Sequence, residues 1–285
     1  MKKIIDYLMV AIRPMVPFSF SILLTRIDRR LRFLVPLGKE LVYNKYLNDL
    51  KVNVNTIYPI ERDMLTGTYD PDTSAIIKRF IKQDSIAIDV GANIGALTLL
   101  MAKIANLGKV ISIEPGPPIC SRLKSNLELN PEVQKVVEVF QVGLSNKKGE
   151  LFWAEDDSNR GNAGLSQDEG VAVIVHTLDY IVDLAKLEKI DFIKIDVEGM
   201  ELEVIKGGMD SIIKYRPIIY FETMEAFRDY RGFDCYGEIF TLLHNIDYKH
   251  FTVLSDGKLA EVSSLDVLRS QNTIGIPNEK AIFST

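Results

Sequence analysis

The chain has 285 residues, 47% hydrophobic and 26% charged, globular proportions that exclude whole-chain disorder, a collagen-like repeat and a coiled coil. Thirty-four Lys and Arg against 39 Asp and Glu leave a net charge of −5, which argues against a general nucleic-acid binder, because such proteins carry a basic excess. Cys120 and Cys235 are far apart and form no CxxC pair, so a disulfide framework and a cysteine-rich zinc site are not expected and the compartment reads as reducing.

The charge is uneven along the chain. Residues 1–39 carry eight basic and two acidic side chains, a net +6 that leaves −11 for the remainder. Pro14 to Thr25, the longest uncharged run of this arm, has 12 residues and two prolines, whereas a membrane-spanning helix needs about 20 apolar residues. Asp6 and Arg13 interrupt any signal-peptide core, and no small-x-small cleavage site follows. The arm reads as an amphipathic helix packed on the domain or on a second copy of the chain. Lying on an anionic membrane surface is the alternative. The localisation expected is cytoplasmic, with the inner face of a membrane in reach of the arm.

From residue 60 onward short apolar strands alternate with amphipathic helices, the pattern of an α/β fold with a mostly parallel sheet. Ser85–Val90 predicts a buried strand, Ile94–Asn106 a helix, and Lys109–Glu114 a second strand. Pro117–Asn130 is a helix with Ile119, Leu123 and Leu127 on one stripe, and Val136–Val142 is a third strand. Gly149–Ala154 and Val171–His176 then read as a hairpin around a polar loop, 158–166. Alternation resumes with a helix near Leu178–Leu187, the strand Asp191–Asp196, a helix over Glu201–Lys214, the strand Pro217–Glu222 and a helix over Cys235–Asn245. Phe251–Leu254, the Asp256-Gly257 turn and Thr273–Ile276 suggest a closing antiparallel pair. The expected division is an N-terminal helical extension over 1–55 and one catalytic-type domain over 56–285.

The most informative segment is Asp89-Val-Gly91-Ala92-Asn93-Ile-Gly95, between a strand and a helix. A dinucleotide fingerprint needs glycines at relative positions 1, 3 and 6, and here those positions hold Asp89, Gly91 and Ile94. The segment fits instead the acidic-x-Gly-x-x-x-Gly turn of enzymes that bind S-adenosylmethionine (SAM). SAM has no pyrophosphate, so the turn must hold a zwitterionic methionine end and a sulfonium. Asp89 is placed to face the ammonium, directly or through water, and the helix N-terminus near Ile94 to receive the carboxylate. Gly91 brings the backbone close without a Cβ in the way. Glu114, ending the second strand, is spaced to accept hydrogen bonds from both ribose hydroxyls.

Ile88–Gly95, Glu114-Pro115 and Lys194-Ile-Asp-Val-Glu-Gly-Met-Glu201 together resemble the FkbM-type SAM-dependent methyltransferases. Gly67–Pro71, Thr177-Leu-Asp179, Lys206-Gly207, Arg216-Pro217 and Asn272–Pro277 extend the resemblance to about residues 60–278. It implies a class I, Rossmann-like methyltransferase fold: a seven-stranded, mostly parallel sheet whose last hairpin supplies one antiparallel strand, with helices on both faces. It also implies methylation of hydroxyl oxygens, frequently on sugars, glycans or secondary metabolites. The cofactor set then reads Asp89, Gly91, Ala92, Asn93, Gly95, Glu114 and Pro115, with Leu144 near the adenine.

Methyl transfer is an in-line displacement, so the enzyme mainly positions the acceptor oxygen opposite the sulfonium. A sugar hydroxyl must lose its proton during attack, which calls for a base in hydrogen-bond reach. Ligands in open α/β sheets sit beyond the carboxyl ends of the strands. There the first candidate is Asp196, followed by Glu198 and Glu222. Period-two alternation puts Lys194 on the face of Asp196; an ion pair with Asp196 or Asp89 is preferred over direct contact with the acceptor. His176 is an outside candidate for the base. On the resemblance, Tyr69, Asn162 and Ser166 line the acceptor pocket. The three carboxylates have the oxygen chemistry for a divalent cation, but the spacing demands none, and a solvated acidic rim is preferred. Among the alternatives, an N-methyltransferase is disfavoured by Asp196-Val-Glu-Gly199, where such enzymes carry an Asn/Asp-Pro-Pro-aromatic string. A non-catalytic SAM-binding module is disfavoured by retention of the acidic constellation. The expected partner is a small-molecule or glycan hydroxyl acceptor, with no nucleic acid and with self-association left open.

Overall fold

The computed structural model describes residues 19, 21–23, 34–67, 69–154, 164–166, 170–222, 234–262 and 272–281. Most of the basic arm, Asn162 in the polar loop, and the Ser166 side chain lie outside that description.

Residues expected within a helical extension instead form an antiparallel hairpin, β1 (Glu40–Tyr46) and β2 (Leu50–Asn55). In β2 the sequence Leu-Lys-Val-Asn-Val-Asn alternates, which buries Leu50, Val52 and Val54 together. Leu47 and Asn48 take left-handed backbone angles to make the turn. The hairpin is no separate arm, for its buried residues belong to the same core as those of the following domain. After α1 (Pro59–Met64) and α2 (Pro71–Phe80) come β3 (Ile86–Val90), α3 (Ala96–Ile104), β4 (Lys109–Ile113) and α4 (Pro117–Glu128). Asparagines of the α4 region satisfy the free edge of β2: Asn53 N donates to Asn126 Oδ1 (2.7 Å), and Lys51 N to Asn130 Oδ1 (2.8 Å). Arg122 of α4 clamps Glu61 of α1 with two nitrogens, at 2.5 and 2.7 Å.

A one-turn α5 (Pro131–Gln134) leads to β5 (Val137–Phe140). Four short strands then form a side sheet, β6 (Gly143–Leu144), β7 (Gly149–Ala154), β8 (Gly164–Ser166) and β9 (Val171–His176), in the order β6-β9-β7-β8. The predicted hairpin is its β7–β9 pair. Next come α6 (Leu178–Leu184), β10 (Phe192–Ile195), α7 (Glu201–Lys206) and α8 (Met209–Tyr215). The single helix expected over Glu201–Lys214 is thus broken at Gly207-Gly208. A Cβ at Gly207 would meet the Ser145 carbonyl oxygen at 2.2 Å, so this close approach requires glycine. Asp179 then accepts from the Asp210 and Ser211 amides at the start of α8 (3.3 and 2.8 Å).

After β11 (Ile218–Phe221), α9 (Cys235–Asn245), β12 (Tyr248–Val253), β13 (Leu259–Val262), β14 (Thr273–Pro277) and α10 (Asn278–Ala281), the main sheet reads β13-β12-β14-β11-β10-β3-β4-β5. Strands β5, β4, β3, β10 and β11 are mutually parallel, while β14 runs antiparallel between β11 and β12. The sheet therefore has eight strands where seven were expected. The extra one, β13, pairs only with β12 at the edge, after the Asp256-Gly257 turn. Separate apolar cores cover the two faces. Strand order reverses between β3 and β10, which opens a crevice at their carboxyl ends.

Candidate active site

A cavity of about 470 Å³ occupies that crevice, within the usual range for small-molecule sites. Below it, the penultimate residue of each of four neighbouring strands is polar: Ser112 in β4, Asp89 in β3, Lys194 in β10 and Tyr220 in β11. These four stand in register across the sheet. Asp89 is fully buried, with Oδ2 accepting from Thr98 Oγ1 (2.6 Å) and Oδ1 lying 3.3 Å from Lys194 Nζ. It does not line the cavity. Asp89 thus stands one layer behind the cavity wall, with Oδ2 taken by Thr98 and Oδ1 facing Lys194 without a hydrogen bond.

Lys194 is 3% exposed and reaches four oxygens: Asp89 Oδ1, Asp196 Oδ2 at 3.4 Å, and the Gly91 and Val90 carbonyls at 2.9 and 3.4 Å. Burial alone would disfavour its charge, but the two aspartates outweigh that and raise its affinity for the proton. The preferred ion-pair reading of Lys194 is what the structure contains, with both aspartates at once.

The turn after β3 is fastened to β4, with Gly91 N and Ala92 N both donating to the Ile113 carbonyl (3.0 and 3.1 Å). Gly91 has φ +74°, and a Cβ there would meet the Asp196 carbonyl oxygen at 1.8 Å. The close approach that requires glycine is thus to the chain leaving β10, where ligand access was the expected reason. Asn93 (φ 50°) donates its N–H to Glu114 Oε2 and Gly116 N donates to Oε1, both at 2.9 Å. Burial pushes the Glu114 carboxyl up to about 7 despite those two amides. A carboxylate has about four acceptor sites, so Glu114, which lines the cavity, keeps capacity for a ligand. Ala92, Asn93, Pro115 and Leu144 also line it, whereas Gly95 stands behind it as the left-handed cap of α3.

The opposite wall carries Asp196, Glu198 and Glu222, each offering an oxygen within 4.8 Å of the others. Glu198 adopts φ 55° and Gly199 φ 99°, and the loop is held from beneath by Glu201 Oε1, which accepts from Val197 N (3.1 Å) and Gly199 N (3.2 Å). Burial first, then the charge of Asp196, pushes Glu198 up to about 8 and Glu222 up to about 9.

Asp70, Thr73, Tyr220 and Asn272 were not anticipated from sequence, yet they line this side together with the expected Tyr69. Tyr220 OH and Thr73 Oγ1 are 2.5 Å apart, and Thr73 Oγ1 donates to Asp70 Oδ2 (2.5 Å). The readable signal was the polar penultimate residue of β11; the contact with α2 spans 147 residues. His176 is not brought to the cavity. Its ring stacks on Tyr180, with centroids 4.0 Å apart.

A doubly wound sheet with a non-dinucleotide glycine turn, an acidic residue ending the next strand and carboxylates across the crevice defines a Rossmann-like methyltransferase fold. Residues 89–250 match the Methyltransferase FkbM domain model, which is more than half of the chain. The chain belongs to the FkbM methyltransferase domain family, and the cofactor of that domain is SAM. Hexuronic acid methyltransferase AglP of Haloferax volcanii is 29% identical over 144 residues, covering 50% of this chain and 58% of AglP. Methyltransferase 1 of Beauveria bassiana is 30% identical over 147 residues, covering 44% and 58%. The 2-O-methyltransferase NoeI of Sinorhizobium fredii is 25% identical over 185 residues, covering 56% and 74%. The matched stretch thus spans little more than half the length of the first two. A solved FkbM methyltransferase from Methylobacillus flagellatus KT aligns with a TM-score of 0.47 at 15% identity, covering 76% of this chain and 52% of that one.

Proposed function

We propose that the protein transfers a methyl group from SAM to a hydroxyl oxygen of a sugar-like acceptor. The observation that carries this reading is the group Asp196, Glu198 and Glu222 on the cavity wall facing the glycine turn. The name of AglP, a hexuronic acid methyltransferase, supports a sugar-like acceptor, and that of NoeI, a 2-O-methyltransferase, supports transfer to oxygen. SAM supplies an electrophilic methyl group on a sulfonium. Glu114 holds the ribose, the first turn of α3 faces the carboxylate, and Leu144 packs on the adenine. Asp89 contributes at one remove, through Lys194.

Asp196 is the base. It is the member of the group held in an ion pair by Lys194, which leaves its outer oxygen lone pairs to accept the hydroxyl hydrogen bond and then the proton. Tyr69 and Tyr220 set the far wall against which the acceptor ring is oriented. Among the described residues no helix is long and apolar enough to cross a membrane.

The test uses methyl-labelled SAM with glycan, glycolipid and small-molecule fractions as acceptors. Alkali-stable label in a sugar fraction is expected. In Asp196→Ala, turnover should fall about 100-fold or more while S-adenosylhomocysteine binding stays within about twofold. Unchanged turnover would remove Asp196 as the base. Absence of label with intact S-adenosylhomocysteine binding would remove the sugar acceptor.

A further inference from the structure

We infer that Asp70 and Thr73 are positioning residues that turn the Tyr220 hydroxyl proton away from the cavity, so that the phenolic oxygen accepts a hydrogen bond from a second hydroxyl of the acceptor. The inference rests on the methyl-transfer reading above. It adds the requirement that the reacting hydroxyl has a free hydroxyl beside it, a vicinal diol in chemical class.

The three side chains line the cavity and form one hydrogen-bonded chain. Asp70 Oδ1 accepts from the Thr73 amide at 3.2 Å, and Oδ2 accepts from the Thr73 hydroxyl at 2.5 Å. A threonine hydroxyl has one proton to give, and here Asp70 takes it. Tyr220, 2.5 Å from the same Thr73 oxygen, is then the donor of that pair. With its proton spent in the wall, the phenolic oxygen keeps only lone pairs for a ligand. Burial, and after it the charge of Asp70, raises the Tyr220 hydroxyl well above its ordinary value, so the proton stays on it through the neutral range.

Helix capping explains only half of this chain. Asp70 caps α2 through Oδ1, the usual duty of an aspartate at that position. The cap makes no use of Oδ2, nor of Tyr220, which comes 147 residues after Thr73. Asp70 also holds a left-handed φ of 38° immediately before Pro71. Strain of this kind is kept where the surroundings need a side chain aimed in one direction.

The place of Tyr220 in the sheet assigns the free lone pairs to the acceptor and not to SAM. It lies in β11, two strands from β3, or about 10 Å at the usual strand spacing. It stands beside Lys194, whose Nζ is 3.4 Å from Asp196 Oδ2, and the charge of Asp196 is felt at the Tyr220 hydroxyl. The base and the phenolic oxygen therefore serve the same end of the cavity. Asp196 accepts from the hydroxyl that reacts, and Tyr220 accepts from its neighbour. An acceptor with a single hydroxyl leaves one of the two oxygens desolvated and unpaired, which costs affinity.

The experiment measures binding to protein saturated with S-adenosylhomocysteine, by calorimetry at neutral pH, of methyl mannoside and its 3-deoxy analogue. The parent carries ring hydroxyls on adjacent carbons, and loss of the middle one leaves no adjacent pair. The parent is expected to bind about fivefold tighter. Tyr220→Phe and Thr73→Val should each shrink that ratio below about twofold, and Thr73→Ser, which keeps a hydroxyl in place, should restore it. Asp70→Asn serves where Thr73→Val does not fold. It retains the cap, but its amide can donate to Thr73, so the chain can reverse and the ratio should shrink there too. Equal binding of the two glycosides, a ratio that survives in Tyr220→Phe, or no binding of either overturns the inference. So does a ratio lost in Tyr220→Phe but kept in Thr73→Val and Asp70→Asn, because Tyr220 would then act without them. Methyl transfer is followed separately. If the parent is preferred but no label moves, the methyl-transfer reading fails and the hydrogen-bond assignment stands; if label enters both glycosides equally, the reverse holds.

Discussion

The two ends of the cavity are built in different ways. The end over β3 and β4 is made of backbone: the Gly91 and Ala92 amides on the Ile113 carbonyl, and the Asn93 and Gly116 amides on Glu114. The end over β10 and β11 is made of side chains from α2 and the two strand ends: Asp70, Thr73, Tyr220, Asp196, Glu198 and Glu222. Backbone geometry serves a constant cofactor, whereas side chains can be exchanged to suit an acceptor without disturbing the sheet. Lys194 joins the two ends, touching Asp89 and the Gly91 carbonyl on one side and Asp196 on the other.

Breaking that join should have the largest effect. Lys194→Met leaves Asp89 buried without its counter-charge and should cost about 3–5 kcal/mol by denaturant unfolding; a loss below about 1 kcal/mol would show that the join is not structural. Next is Gly91→Ala. It combines φ +74° with a collision against the Asp196 carbonyl, so both ends should shift together. We expect about 3 kcal/mol of destabilisation and loss of S-adenosylhomocysteine binding. Retained binding at normal affinity would separate the turn from the β10 loop.

Smaller and more selective is the pH dependence. Glu222 rises from 4.5 to about 9 and Glu198 from 4.5 to about 8. In that window the folded protein holds protons that the unfolded chain has released, so stability should fall as pH climbs from about 5 to about 9. Glu114, at about 7, has largely titrated before the top of that range. The fall in melting temperature above about pH 8 therefore reports the acceptor end, and Glu222→Gln should flatten it. A slope unchanged by that substitution would refute the assignment. The smallest effect is expected for Tyr220→Phe, which removes the hydroxyl bonded to Thr73. A loss of about 1 kcal/mol is expected, with acceptor KM raised and SAM KM unchanged.

This division also explains what the sequence made legible. The glycine turn, Glu114 and the strand–helix alternation are local, written in residues a few positions apart, and they were readable. The approach of Asp196 to Gly91 and the partnership of Thr73 with Tyr220 are made by chain segments far apart, and no local pattern encodes them. The neighbours of Asp89 are equally non-local, coming from α3 and β10. The hairpin of β1 and β2 was hidden inside a segment expected to be helical, although Val52 and Val54 already alternated with polar residues. The need for glycine at 207 comes from Ser145, 62 residues earlier in the chain.

Strand β3 has one neighbour that follows it closely, β4, and one that comes much later, β10, with Ile86 and Asp191 bonded across 105 residues. During synthesis at ~5–20 residues per second, β3 therefore waits about 5–20 s with one edge unpaired. The strand that waits is the apolar Ile-Ala-Ile-Asp-Val, and such an edge is a template for pairing with another chain. The sheet is completed from its middle, so a nascent chain halted before residue 191 exposes the centre of the future domain and not its rim. Expression yield, more than the stability of the finished protein, will register changes in how quickly the second half of the chain arrives.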